Sequence, residues 1–419
     1  MATAKKQLWN RSTIALITCT WTSACASVAT VTALGLQVFD LTGRELDLGL
    51  LGLAEFAPSA LLVLVTGTIA DRYDRRRISS IAAAVEALTG VGLALYAFSD
   101  PTSVAPIFLM VIAFGAGRAF LAPSNRALPA DIVAPADLPW LTARRAIAWQ
   151  TATIAGPIMG GILFDVDPAL PYVLMAVLLS ISSASMFFVQ ARLEDRPDPI
   201  ADIQTELDPT LAAPPASGRL REAVEGLRFI RRSPVLLGVI SLDLFAVLFG
   251  GAVALLPALA DRLAIDSGGV GALRAAGGIG AALTTLWIAR KPIGTRVGKW
   301  LLVVVAIFGA STVALGATTS FVVALIAMFV IHGADAISVF IRSTLVPLIT
   351  PSDKRGRVLA VESVFIGASN ELGAFESGVV GQALGAPGAI IIGGAATLVV
   401  AGTYWAAFPS LREVDRFPE

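Results

Sequence analysis

Charge is what this chain has least of. Only 15 % of its 419 residues are Asp, Glu, Lys or Arg, where soluble domains carry about 25 %. With 56 % apolar residues and a mean hydropathy of +0.77, there is too little polar surface to coat a water-facing globule. A soluble enzyme is excluded. One histidine, His332, and two cysteines, Cys19 and Cys25, supply no metal site and no disulfide framework, and an HExxH metalloprotease needs two histidines. An intramembrane serine protease would want Gly-x-Ser-Gly before its histidine, whereas Gly367-Ala368-Ser369-Asn370 follows His332 and lacks the last glycine. A phosphate-binding loop is missing too, because Gly298-Lys299 is followed by Trp300 and has Ile293 where the first glycine should stand. Thirty-one basic residues balance thirty-one acidic ones, so nothing draws the chain to nucleic acid. What remains is an integral membrane protein, expected to hold no metal and no cofactor.

A helix crosses the hydrocarbon core in about 20 mostly apolar residues. Twelve segments reach that length, near 12–40, 47–70, 78–98, 104–126, 141–164, 169–191, 234–260, 267–289, 297–317, 320–346, 358–384 and 386–408. The first is read as an uncleaved span. Lys5 and Lys6 precede it and Ala24-Cys25-Ala26 resembles a cleavage site, but the apolar run continues through Leu36, too far for a signal peptide. Residues 192–233, punctuated by Pro197, Pro199, Pro209, Pro214 and Pro215, form a linker. Its second part, 218–232, has Leu220, Val224, Leu227 and Ile230 at helical spacing among arginines, the pattern of an interfacial helix. The expected organisation is residues 1–191 as one six-helix bundle, 192–233 as the linker, and 234–419 as a second six-helix bundle with a short tail.

Orientation follows from the basic residues. Lys5, Lys6, Arg11, Arg72, Arg75 to Arg77, Arg126, the linker arginines, Arg290, Lys291, Arg296, Lys299, Lys354, Arg355, Arg357, Arg412 and Arg416 fall on one side, and only Arg44 and Arg262 on the other. The positive-inside rule then places both termini and the linker in the cytoplasm of a plasma (inner) membrane. Trp9, Trp140, Trp300 and Trp405 sit near span ends, as an interfacial belt requires.

The most informative stretch is Gly67-Thr68-Ile69-Ala70-Asp71-Arg72-Tyr73-Asp74-Arg75-Arg76-Arg77. Positive-inside bias explains its arginines but neither Asp71 directly after an apolar helix nor Gly67 one turn earlier. An acid there can cap a neighbouring helix and pair with arginine, a latch that breaks when two bundles rock apart. The stretch resembles the loop between helices two and three of the major facilitator superfamily, with Asp74 where the common pattern has Gly, as in the enterobactin-exporter and macrolide-efflux branch of the drug:proton antiporters. Gly115-Ala116-Gly117, followed by Pro123 and Asp131, resembles the family's fourth-helix motif, with Val111 at the usual arginine position and Arg118 as a substitute. Gly156-Pro157-Ile158-Met159-Gly160-Gly161 resembles the antiporter motif of the fifth helix, where small residues allow close packing and Pro157 bends the helix into a hinge.

That resemblance implies an all-α fold of 12 transmembrane helices in two pseudo-symmetric bundles. It also implies secondary active export of an amphiphilic small molecule, siderophore or drug-like, by alternating access in exchange for protons or sodium, by a monomer in the lipid bilayer. A channel without ion coupling or a non-transporting membrane sensor is the alternative, since a fold does not dictate function. The cytoplasmic gate is assigned to Gly67, Asp71, Arg72, Arg75, Arg76 and Asp131, and the hinge to Gly156, Pro157, Gly160 and Gly161. Ionisable side chains near the bilayer centre are functional by default. Counted along the helices, Glu55, Arg118, Asp243, Asp335 and Glu371 fall nearest the middle, while Glu86, Arg274, His332, Arg342, Glu362 and Glu376 lie nearer the ends. Glu55, Arg118, Asp243, Arg274, His332, Asp335 and Glu371 are the candidates for proton coupling or for lining the cavity.

Overall fold

The computed structural model describes residues 8–190 and 216–418, and among them every regular element is helical. Helix α1 (Arg11–Thr42) starts on a reciprocal cap, with Asn10 Oδ1 accepting the Thr13 N–H and the Thr13 hydroxyl accepting the Asn10 N–H. It stops at Gly43, whose φ of 59° puts it in the left-handed region that a glycine enters without strain. Then come α2 (Glu45–Arg72), α3 (Arg75–Ala97), α4 (Ala105–Ile132), α5 (Leu138–Val166) and α6 (Leu170–Ser185). After the linker follow the amphipathic α7 (Ala216–Arg232), α8 (Pro234–Phe249), α9 (Ser267–Arg290), α10 (Val297–Ala317) and α11 (Phe321–Ile349). The stretch Ser352–Ala407 breaks at Gly385, φ 75°, into α12 (352–384) and α13 (386–407).

Among the described residues nine helices are long and apolar enough to cross a membrane, with α12 and α13 taken together as one. The twelve segments expected from sequence also include α2 and α4, whose apolar part Ala105–Leu121 is shorter, and separate α12 from α13. One expected span differs in kind. Residues 234–260 are not one helix: α8 ends at Phe249, and short 3-10 turns, Gly251–Leu255 and Pro257–Leu259, follow. Two adjacent glycines, weak helix formers, stand at the break, and Pro257 lacks an N–H donor; both glycines are tightly enclosed, since a β-carbon on Gly250 would strike the Phe308 ring and one on Gly251 would overlap the Gly373 carbonyl.

Helix α1 packs on α5 and α6, α2 on α4, and α3 on α4 and α6; beyond the linker, α8 and α10 pack on the α12–α13 pair, and α9 and α10 on α11. Two seams join the halves, α5 against α9 and α2 against α12. Lipid tails are as apolar as leucine, so helices there associate through close backbone approach rather than hydrophobic burial. Glycine supplies it. A β-carbon on Gly49 would lie 2.9 Å from the Ala374 carbonyl oxygen, and one on Gly378 2.8 Å from that of Glu45. In the other seam, β-carbons on Gly161 and Gly271 would overlap the carbonyl oxygens of Ser267 and Pro157. Asp165 adds a bond across it, accepting the N–H groups of Ser267 at 2.9 Å and Gly268 at 2.7 Å. These contacts close the end of the bundle that carries Gly43.

At the opposite end α7 docks on α12. Gly226 lies against the Arg357 backbone, Arg357 Nη1 meets Glu225 Oε2 at 2.8 Å, and the Lys354 ammonium stands 4.8 Å from the centre of the Phe229 ring. Cys19 and Cys25 are buried and unbridged.

Candidate transport site

In the first half the charges converge on one short sequence of α4, Gly115-Ala116-Gly117-Arg118. Gly115 admits α2, since a β-carbon there would overlap the Glu55 carbonyl oxygen, and Gly117 admits α3, with 2.9 Å left to Glu86 Cγ. Arg118 then reaches back from the next position. Its Nη1 donates to Glu55 Oε1 at 2.6 Å and to Ser27 Oγ of α1 at 2.7 Å. Its side chain is 40 % exposed, so the pair can be reached by a solute rather than sealed in packing.

The second half contributes to the same region. Glu371 of α12 sits over Gly52 of α2, where a β-carbon would lie 2.8 Å from its Oε2, and it lies within electrostatic range of both Glu55 and Arg118. Arg274 of α9 lies within range of Glu55. Its Nη2 donates to the Val253 carbonyl at 3.4 Å, while its buried Nε has no partner. Glu55, Arg118, Arg274 and Glu371, named from sequence on four separate helices, are thus gathered around Glu55 from both halves.

A second cluster lies wholly beyond the linker. Arg342 Nη1 donates to Asp243 Oδ2 at 2.6 Å, both side chains under 10 % exposed, and Arg342 Nε donates to Ser338 Oγ at 3.3 Å. Asp335 and Glu362 stand within electrostatic range of this pair. Arg342 stands toward the end of α11, as counting along the chain places it, and is nonetheless among the most enclosed charges, because enclosure depends on which face meets α8 as well as on axial position. Asp335, Ser338 and Arg342 repeat at i, i+3, i+7, a shared helix face that a periodicity check would have found. The depth ranking is corrected for Glu86, which counting along the chain places nearer an end: it stands at the middle of α3 and is 2 % exposed.

Next to this cluster is a cavity of about 170 Å³, lined by His332, Asp335, Asn370 and the unwound residues Gly250 to Ala254. His332 Nδ1 lies 3.2 Å from the Met328 carbonyl, and its ring fills the space left by Gly277 of α9. His332 and Asp335, predicted to share a helix face, therefore line one cavity.

Of the gate residues, Arg75 and Asp131 meet at 3.0 Å and join the starts and ends of α3 and α4. Arg76 binds Asp74 through Nε and Nη2 and the Val189 carbonyl through Nη1. The hydrogen bond from Arg76 holds the Asp74 carboxyl below the usual carboxylate range. The helical backbone of α2 runs through Gly67, Asp71 and Arg72, whose side chains lie outside the described residues. Of the hinge residues, Gly156 and Gly160 pack on the α1 backbone at Cys25 and Ala29, while Pro157 and Gly161 face α9. Sequence reasoning missed Arg145, whose Nε donates to Thr20 Oγ1 at 2.9 Å.

An all-helical, multi-pass bundle with charges from two halves gathered around one carboxylate is the architecture of a membrane transporter. Residues 16–341 match the Major Facilitator Superfamily, and the chain belongs to that family. It is 24 % identical over 299 residues to the enterobactin exporter EntS of Shigella flexneri, covering 71 % of this chain and 67 % of the relative. The EntS of Escherichia coli O1:K1 is 23 % identical over 300 residues, with the same coverage. Among solved structures, the nucleoside transporter NupG is similar with a TM-score of 0.71 at 14 % identity, covering 95 % of this chain and all of the other. A bacterial homologue of the lysosomal transporter Spinster, in an inward-facing and unoccupied conformation, is similar with a TM-score of 0.70 at 13 % identity, covering 96 % of this chain and 97 % of the other.

Proposed function

We propose that this transporter is a secondary active exporter of an amphiphilic small molecule, siderophore or drug-like, working by alternating access in exchange for protons. Twelve spans, six in residues 1–191 and six in 234–419, swing about the seam as a monomer in the inner membrane, with both termini and the 192–233 linker in the cytoplasm. The observation that carries this reading is the position of Glu55, Arg118, Arg274 and Glu371. Charges from both halves gather around Glu55, between two seams closed at the Gly43 end by backbone contact. Ionisable groups at such depth are costly unless paired or wetted, so opening the seams must exchange their partners, and a proton or a substrate can supply the replacement. In this arrangement the Gly43 end is the outer gate, the Arg75–Asp131 pair and Asp71 belong to the inner gate, and Asp243 with Arg342 is a proton-responsive pair. The relatedness to enterobactin exporters supports the direction of transport and the siderophore class.

Two measurements test it. Uphill efflux driven by a proton gradient in everted vesicles should be lost in Asp243→Asn while protein insertion is kept, and unimpaired efflux would remove Asp243 from the mechanism. Metabolite profiling of a deletion strain, beside a drug-susceptibility panel, separates the substrates. Siderophore accumulating inside the cells supports siderophore export, unchanged siderophore with altered drug tolerance supports drug efflux, and no change in either refutes both.

A further inference from the structure

Glu86 is a fully enclosed carboxyl at mid-helix in the first half to which the proposed mechanism gives no task. It stands at the middle of α3, 2 % exposed, and its buried Oε1 has no hydrogen-bond partner. A side chain this long and polar is not packing filler, since a buried polar group without a partner is penalised and a bare charge far more so. Space is made for it by Gly117 of α4, where a β-carbon would lie 2.9 Å from Glu86 Cγ and force one of the two to shift. The neighbouring residue Arg118 is the cation within electrostatic range, and Glu55 is the other carboxyl within range. Helix α6, the other element packed along α3, offers Tyr172 as its single ionisable side chain, and that hydroxyl is held by Gln37 Oε1 at 2.6 Å.

Two carboxyls thus face one guanidinium. With Glu55 ionised on Arg118, that pair is neutral; Arg274 lies within range of Glu55, but among the described residues Arg118 is the cation within range of Glu86. We propose that Glu86 is a proton-holding site that shares Arg118 with Glu55, so that one proton resides on whichever of the two carboxyls the guanidinium has left. In the conformation seen here, Arg118 bonds Glu55 and Glu86 carries the proton. When Arg118 turns to Glu86, the proton moves from Glu86 to Glu55; the guanidinium keeps its charge and the trio stays neutral in both arrangements. Because Arg118 is 40 % exposed and Glu55 21 % exposed while Glu86 is enclosed, Glu55 is the member that trades protons with the cavity and Glu86 is the store behind it. The fourth-helix sequence Gly115-Ala116-Gly117-Arg118 gains a physical account: Gly115 admits the α2 backbone at Glu55, Gly117 admits the Glu86 side chain, and the arginine serves both carboxyls.

The role in transport rests on the proton-exchange reading, but the proton itself can be tested without substrate. Infrared spectra of the purified protein in lipid nanodiscs, exchanged between H2O and D2O, report the C=O stretch of buried carboxylic acids. Glu86→Gln, nearly the same shape, should remove one such band. In a Glu371→Gln background, which removes the other carboxyl within range of Arg118, Glu55→Gln leaves α3 untouched and should remove the same band, because Glu86 is then the carboxyl left within range of the guanidinium and the stored proton leaves. A spectrum unchanged by Glu86→Gln would overturn the proposal, since Glu86 would then be ionised. A band lost in Glu86→Gln but kept in Glu371→Gln/Glu55→Gln would overturn it as well, showing a permanently protonated residue that does not share Arg118. In everted vesicles, Glu86→Gln should lose the pH dependence of efflux while keeping substrate exchange, and a wild-type pH profile in that variant counts against the proposal. Should the wild type show no proton-driven efflux, the antiport reading fails, and the infrared comparison still decides where the proton sits.

Discussion

Gly161 and Gly271 offer the most direct perturbation of the closed seam. In each, a single methyl would overlap a carbonyl oxygen of the facing helix, Ser267 for Gly161 and Pro157 for Gly271. Neither neighbour is a flexible side-chain tip; both are backbone of a packed helix, so Gly161→Ala or Gly271→Ala requires α5 and α9 to part by about 1 Å, in an interior that transmits strain rather than absorbing it. Overpacking of this kind costs about 1–3 kcal/mol, which is comparable with the gap of a few kcal/mol between conformers of a two-state protein. Since about 1.4 kcal/mol is tenfold in an equilibrium, each substitution should shift the population toward an open Gly43 end by roughly one to two orders of magnitude. Spin labels at Val166 and Ile265, on opposite sides of the seam, would read this as a longer-distance population by pulsed electron resonance. The native cysteines are buried and should label slowly. Distance distributions identical to those of the parent in both variants would refute the argument that these glycines hold the seam shut.

Two further outcomes are expected. Asp243→Leu leaves the Arg342 guanidinium buried without its partner, a loss of about 3–5 kcal/mol in stability, whereas the double variant Asp243→Leu/Arg342→Met should recover most of it; equilibrium unfolding in mixed micelles gives the comparison, and a double variant no more stable than the single one would contradict the assignment. Asp74 caps α3 through the Arg76 N–H at 2.9 Å, and its carboxyl is held low by the Arg76 side-chain hydrogen bond. Its stabilisation is therefore complete above the ordinary carboxylate value and disappears as pH falls through the depressed one. Asp74→Ala should cost about 0.5–2 kcal/mol near neutral pH and should flatten the acid limb of the stability profile; an unchanged acid limb would deny the cap its role.

Much of the site was legible one residue at a time. A carboxylate or guanidinium in an apolar run is conspicuous whatever the fold, and Glu55, Arg118, Asp243, Arg274, Asp335 and Glu371 were found in that way. What could not be read was pairing. Glu55 and Arg118 are separated by 63 positions and Asp243 and Arg342 by 99, and no local pattern names such partners. Glu86 stands at the middle of its helix rather than near an end, and the enclosure of Arg342 was hidden because position along a helix says nothing of which face a neighbour covers. The break after Phe249 lies inside a continuous apolar run, where Gly250, Gly251 and Pro257 are the local signal for it, while the close approach of Phe308 and Gly373 comes from far along the chain.

Composition alone determined that this chain lives in lipid, because its few charges cannot clothe a soluble surface, and the spacing of apolar runs determined that it does so as helices, the form that satisfies every backbone group within one segment. Only the tertiary structure decided which charges share a partner and which end of the seam is shut. Both depend on how closely two helices approach, a distance set by glycines meeting backbone from elsewhere in the chain.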